Sequence, residues 1–213
     1  MNRTPLSARL AFVRDFASPR LNAASHAFWN HRNLEAAFPE YLGRLYCAAR
    51  ANIPLLEIAR ERAERLAPHC IVADCLVPYL DKHIREERGH DDWILDDAVA
   101  LGGKRLEILS RTPPGEAAAL IGSLYYWVLH GHPVALLPYF FVAEARPVTI
   151  EFLDQVVART GLPKEGLRCL YRHAVLDIAH GAEIIDLLDR LPLTPQQVAL
   201  MDASTISVIQ RMA

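Results

Sequence analysis

An all-helical bundle in a single domain is the fold class the sequence predicts, and three observations predict it. Strand signals are nearly absent: no run of alternating β-branched residues is bounded by Asn-Gly or Asp-Gly turns. Apolar residues recur at helical spacing along almost the whole chain. Gly and Pro fall between the periodic segments, where they act as punctuation. The 213 residues suffice for one sizeable core, so 1–213 reads as a single domain of about eight helices.

The first helix lies within Pro5 to Phe16, and a second begins near His31 and runs towards Ala51. Asn52-Ile53-Pro54 stops that helix and starts the next, Leu55 to Leu66, because proline suits a first turn whose N–H would have no partner. A long helical stretch from about Cys70 to Leu101 follows, kinked at Pro78 and closed by Gly102-Gly103. Thr112-Pro113-Pro114-Gly115 is a loop. Helices over Glu116 to Leu129 and Val134 to Ala145 are separated by Gly131-His132-Pro133. Thr149 to Arg159 is short and amphipathic, Pro163 to Leu191 is long, and Thr194-Pro195 caps and opens the last helix.

Composition narrows the function classes. A formal net charge of -2 offers no basic field for nucleic acid or an anionic membrane. The most apolar region, Ile121 to Ala145, carries His130, His132, Pro133 and Pro138, and reads as buried core rather than a membrane span. Met1 to Ser18 holds Arg3, Arg9, Arg14 and Asp15, which argues against a secretory signal. Cys47, Cys70, Cys75 and Cys169 form no CxxC pair, so reduced thiols in the cytoplasm are expected. Tyr125, Tyr126 and Trp127, at helical positions, are expected in the core.

Two segments carry chemistry. His83, Glu87 and His90 stand at i, i+4 and i+7, offsets that stack on one helical face. His173, Asp177 and His180 repeat the spacing. Each face offers two imidazoles and a carboxylate, a mixture that suits iron, manganese or zinc. Val175, Leu176, Ile178, Ala179, Ile184 and Ile185 imply that the second helix is largely buried, where such polar groups are costly unless paired or metal-bound. One such helix is equally a buried Asp–His pair plus a solvent-facing histidine; the repetition favours metal. A two-metal site needs further carboxylate, and Glu144, the sole acidic residue between Glu116 and Glu151, closes the apolar run Pro138 to Ala143. A helix-end residue reaching solvent is the alternative for it. Glu86 points about 100° away from Glu87 and is assigned to the surface.

Glu86 to Trp93, Leu129 to Leu137, Phe141 to Glu144 and His173 to His180, in that order within Pro78 to Leu188, resemble the haem-oxygenase-like di-iron oxidases, also described as iron-containing redox enzymes. The resemblance implies a haem-oxygenase-like bundle without haem that holds two iron ions, with manganese as the alternative. It implies that the protein activates dioxygen to oxidise a small organic substrate, apolar or derived from an amino acid. Glu87, His90, Glu144, His173, Asp177 and His180 match the family's ligand set. Glu144 corresponds to its bridging glutamate, and Glu144 and Asp177 are the expected catalytic carboxylates. His83 is additional to the pattern: it either binds metal or sits in a supporting shell around the ligands, and the need of each ligand for an orienting partner favours the shell. His130 and His132 either line the pocket or are ordinary loop residues. Homodimerisation is a further implication. The fold also has metal-free thiaminase-like and pyrroloquinoline-quinone-synthesis relatives. A hydrolase of that kind would need a nucleophilic cysteine, for which Cys169, four residues before His173, is the candidate. A non-catalytic binding relative is the remaining alternative.

Overall fold

Twelve α-helices form the described part of the chain, residues 4–213 of a computed structural model. Arg3, part of the charged amino terminus noted above, lies outside the described residues. In order they are α1 (Leu6–Ala17), α2 (Pro19–Trp29), α3 (Leu34–Ala49), α4 (Asn52–Leu66), α5 (Ile71–Glu87) and α6 (His90–Ala100). Then come α7 (Arg105–Leu109), α8 (Gly115–Tyr126), α9 (Leu137–Glu144), α10 (Ile150–Thr160), α11 (Arg168–Arg190) and α12 (Pro195–Met212). No strand occurs among the described residues.

The count exceeds eight for identifiable reasons. Pro19 opens a separate helix, α2, directly after Ser18, whose hydroxyl bonds the carbonyl of Arg14 at 2.6 Å. A five-residue helix, α7, fills the stretch before the Thr112 loop. The expected Cys70–Leu101 helix keeps Pro78 inside α5 but breaks at Arg88-Gly89, where Gly89 has φ +89°. An L side chain disfavours that left-handed conformation and glycine does not. His83, Glu87 and His90 therefore do not share one continuous helical face.

The apolar core lies in two clusters. One gathers side chains of α1, α4, α5, α8, α9, α12 and the end of α11, including Leu56, Leu80, Phe141, Ile184 and Leu188. The other gathers α3, α6, α10 and the start of α11, including Phe38, Leu95, Leu153 and Cys169. Helix α11 spans both clusters, and the α5–α6 break lies where one gives way to the other. The polar residues of the two motifs fill this seam.

Three helix pairs fix the seam. Arg60 of α4 meets Asp81 of α5 at 2.8 Å and Arg88 meets Glu57 at 3.0 Å, so α4 and α5 run antiparallel up to the break. Asp97 of α6 is buried and accepts from the Cys169 backbone N–H at 2.7 Å and from Arg168 Nε at 3.3 Å. A carboxylate placed against the first turn of α11 satisfies one of its orphan N–H groups and suits the helix dipole. At Gly181 an added Cβ would lie 2.9 Å from the Glu144 carbonyl oxygen, so α9 ends directly against the middle of α11.

Burial on α11 follows the sequence expectation for Asp177, His180 and Ile184 but not for the apolar residues beside them. Val175 and Ile178 are 56% and 67% exposed, while Asp177 and His180 are buried. Apolar residues occur on both faces of this helix, so composition does not tell which face turns inward. Tyr126 is also exposed, not core. No helix among the described residues is long and apolar enough to cross a membrane.

Candidate metal centre

The seam brings all six expected ligands and His83 together. His83, Glu87, His90, Glu144, Asp177 and His180 are buried, and His173 is half-buried. Glu87, on the last turn of α5, and His90, on the first turn of α6, turn towards each other across Gly89; His90 Nδ1 is 3.1 Å from Glu87 Oε2. His83 Nε2 is 3.4 Å from Glu144 Oε1. His180 Nδ1 is 3.8 Å from Glu87 Oε1 and 3.9 Å from Asp177 Oδ1.

Two triads present donor atoms mutually within 4.8 Å: Glu87 with His90 and His173, and His83 with Glu87 and Glu144. Glu87 is common to both. The resemblance gives the bridging position to Glu144, whereas here the shared carboxylate is Glu87. His83, expected in a supporting shell, offers its nitrogen within one of the triads. Asp177 and His180 stand beside the triads rather than inside them.

Several buried polar atoms of the cluster have no hydrogen-bond partner among the described residues: His83 Nε2, His90 Nδ1, Glu144 Oε2, Asp177 Oδ1 and His180 Nδ1, all shielded from solvent. The 3.1 Å and 3.4 Å approaches of His90 and His83 to carboxylates are thus close but not aligned for hydrogen bonds. Burial, reinforced by the charges of Glu144 and Glu87, pushes the Asp177 carboxyl up to about 7. Burial also opposes ionisation of Glu87, but His90, His83 and His173 outweigh it and hold Glu87 below the usual range. Burial pulls His173 down, which favours the neutral, ligating form. Native proteins rarely leave so many buried polar atoms unpaired. A pair of cations would satisfy these donors, so the residues present fit a two-metal centre.

Surrounding groups orient the ligands. His173 Nδ1 donates to the Cys169 carbonyl at 2.9 Å, leaving Nε2 free. The Trp93 ring stacks on His90 at 4.0 Å, and Phe140 meets His83 edge-on at 4.4 Å. Tyr79, unnoticed in the sequence, stacks on His83 at 5.4 Å with its hydroxyl buried and unpartnered. Its signal was the i, i+4 spacing to His83. Glu86, assigned to the surface, instead turns one oxygen inward to 3.7 Å from His180 Nε2.

One face of the centre opens onto a cleft of about 660 Å³. Glu87, His90, Glu144, His173 and Asp177 line it, with Leu45, Ile53, Tyr139, Phe140, Val148 and Leu170 supplying apolar wall. His130 and His132 do not line it. His130 is exposed against Tyr126, and His132 accepts from the Val134 N–H at 3.1 Å as a helix cap.

Cys169 reaches the cleft but is a poor nucleophile. Burial and nearby Asp97 push its thiol up to about 12. The neighbouring His173 Nδ1, 3.5 Å from the sulfur, already carries the proton it gives to the Cys169 carbonyl. That nitrogen has no lone pair with which to activate the thiol.

No protein-family model and no curated protein matches the chain. Among solved structures it is similar to a domain of unknown function with a haem oxygenase-like fold from Shewanella denitrificans OS217. That match has TM-score 0.73 and 22% identity, over 97% of this chain and 88% of that one. It is also similar to a TenA homolog from Pseudomonas syringae pv. tomato str. DC3000, with TM-score 0.69 and 14% identity over 98% and 90%. The chain has the haem-oxygenase-like all-α fold.

Proposed function

We propose that the protein is a non-haem di-iron oxidase that uses dioxygen to oxidise a small organic substrate held in the cleft. The observation that carries this reading is the pair of buried triads sharing Glu87, surrounded by donor atoms that lack partners. Imidazoles and carboxylates suit iron, with manganese the alternative, and no haem is assigned. Glu87, His90 and His173 would hold one ion and His83, Glu87 and Glu144 the other, with Asp177 and His180 completing the set. When bound, the two ions supply the electrons that reduce dioxygen.

The chain's own residues do the rest. Leu45, Ile53, Phe140 and Leu170 bury the apolar body of the substrate and keep water from the reacting position. Glu144 and Asp177 face the cleft, where their carboxylates hold or pass protons. In the metal-free fold the crowded Asp177 carboxyl keeps a proton near neutral pH, and a bound cation would release it. The partners assigned are the organic substrate, dioxygen and a second copy of the chain. The four free cysteines fit a cytoplasmic setting.

A second reading, a metal-free hydrolase, draws on the similarity to the TenA homolog. The raised Cys169 thiol and its engaged histidine weigh against it. A binding protein without turnover is the third. Elemental analysis of protein purified without chelator, together with oxygen uptake on adding ferrous ion, separates them. The di-iron reading expects two irons per chain and rapid oxygen uptake, with lowered iron and no uptake in His173→Ala and Asp177→Ala. Substoichiometric metal unaffected by those substitutions overturns it, and activity surviving excess chelator favours the hydrolase. Two irons without oxygen uptake favours the binding protein.

A further inference from the structure

We propose that Glu86 is a positioning residue: its inward oxygen closes on the Nε2–H of His180 when metal binds and so presents the Nδ1 lone pair of that imidazole to the metal centre. The inference rests on reading the centre as a metal site. His180 shows its two nitrogens to different neighbours. Nδ1 faces Glu87 Oε1 and Asp177 Oδ1 at 3.8 Å and 3.9 Å and has no hydrogen-bond partner. Nε2 faces Glu86 Oε2 at 3.7 Å, an oxygen that is itself shielded from solvent and unpartnered. A neutral imidazole carries one proton, and the acceptor available to the ring decides which nitrogen holds it. For His180 to complete the metal set beside the shared Glu87 its Nδ1 lone pair must be free, so the proton belongs on Nε2, where Glu86 is the nearest carboxylate.

His173, two turns earlier on α11, meets the same requirement differently. Its Nδ1 donates to the Cys169 backbone carbonyl, which frees Nε2. His180 makes no such bond among the described residues and draws on a carboxylate from α5 instead.

Glu86 is held for this task. Lys82, one turn earlier on α5, lies 3.1 Å from Glu86 Oε1 and also pairs with Glu183, one turn after His180 on α11. The lysine fixes one Glu86 oxygen outward, so the other turns to the imidazole. These three side chains are roughly 40% exposed, so their ion pairs add little to stability and their value is orientation. None of them lines the cleft, so they act through His180 and not on substrate.

Cobalt(II) binding to the metal-free protein, followed by visible absorption and stoichiometry, tests this without any turnover. Glu86→Leu is expected to weaken uptake about 10–100-fold, the usual loss for an outer partner of a metal-bound imidazole. Its metal-free Tm should stay near that of the wild type. Glu86→Gln, whose amide oxygen still accepts Nε2–H, should recover most of the affinity and the spectrum. In a His180→Ala background Glu86→Leu should add nothing, because the two act as one unit. Wild-type affinity and spectrum in Glu86→Leu overturn the proposal, as does an equal loss in the Gln and Leu variants. Should Glu86→Leu fail to fold, Lys82→Met, which frees Glu86, must still lower affinity; an unchanged isotherm overturns the proposal. A wild type that takes up no cobalt overturns the metal reading itself, a failure visible before any variant is made.

Discussion

The two histidine–carboxylate–histidine segments have the same spacing and reach the centre by different routes. In α11 the three residues lie on one face of an unbroken 23-residue helix. That face is buried at the seam between the core clusters, and the apolar residues Val175 and Ile178 are left on the outside. In the other segment the helix ends at Glu87, the chain turns through Gly89, and His90 begins a new helix in the second cluster. The break folds His90 back towards Glu87, to 3.1 Å, and lets one carboxylate serve both triads. Spacing in a sequence thus reports that side chains converge, while a single glycine decides how the backbone brings them there.

Breaking the shared element should have the largest effect. Glu87→Ala removes the one carboxylate common to both triads, so metal content should fall from two per chain to nearly none by elemental analysis. His173→Ala, on the unbroken arm, touches one triad alone and should retain part of the metal.

Backbone fit comes next. Gly181→Ala drives a Cβ to 2.9 Å from the Glu144 carbonyl and forces α9 away from α11, an overpacking cost of about 1–3 kcal/mol. Gly89→Ala meets no steric obstacle but must hold φ near +89°, at about 1–2 kcal/mol. Each kcal/mol shifts Tm by roughly 2–4 °C in a chain of this size, so thermal unfolding ranks the two. A larger drop for Gly89→Ala would mean that the break, not the α9–α11 contact, is the tighter constraint.

The carboxylate of the unbroken arm makes a pH prediction. The Asp177 carboxyl is raised to about 7 in the metal-free fold against an ordinary value of 3.8. Between those limits the folded chain keeps a proton that the unfolded chain has released, so this group's contribution to stability falls as pH rises from about 4 to about 7 and is flat above. Asp177→Asn should remove that slope and raise the metal-free Tm at pH 8 while losing metal. A Tm lowered at pH 8 would contradict the charge crowding.

Cys169→Ala should change least. The backbone carbonyl at 169, not the thiol, holds His173, so metal content should match the wild type. Loss of activity with metal retained would revive the thiol hydrolase.

The helical bundle, most helix boundaries and the convergence of six side chains were legible in the sequence, because periodicity, Gly and Pro punctuation and matched spacing are local signals. The break at Gly89 was masked by the regular spacing running across it. Which face of α11 turns inward was not legible, because Val175 and Ile178 are as apolar as the residues that do pack. The angle between Glu86 and Glu87 points Glu86 to the surface, but that angle takes no account of a neighbour on another helix. His83 entered a triad for the same reason: its distance to Glu144 depends on α9 ending against Gly181, a contact between residues far apart in the chain.

Anomalous diffraction at the iron edge, from crystals loaded with ferrous ion under anaerobic conditions, is the decisive measurement. Two peaks in the seam, on either side of the Glu87 carboxylate, are expected. An empty seam, or iron bound only at surface carboxylates, would contradict the di-iron assignment and leave a helical bundle with an unexplained cluster of buried polar groups.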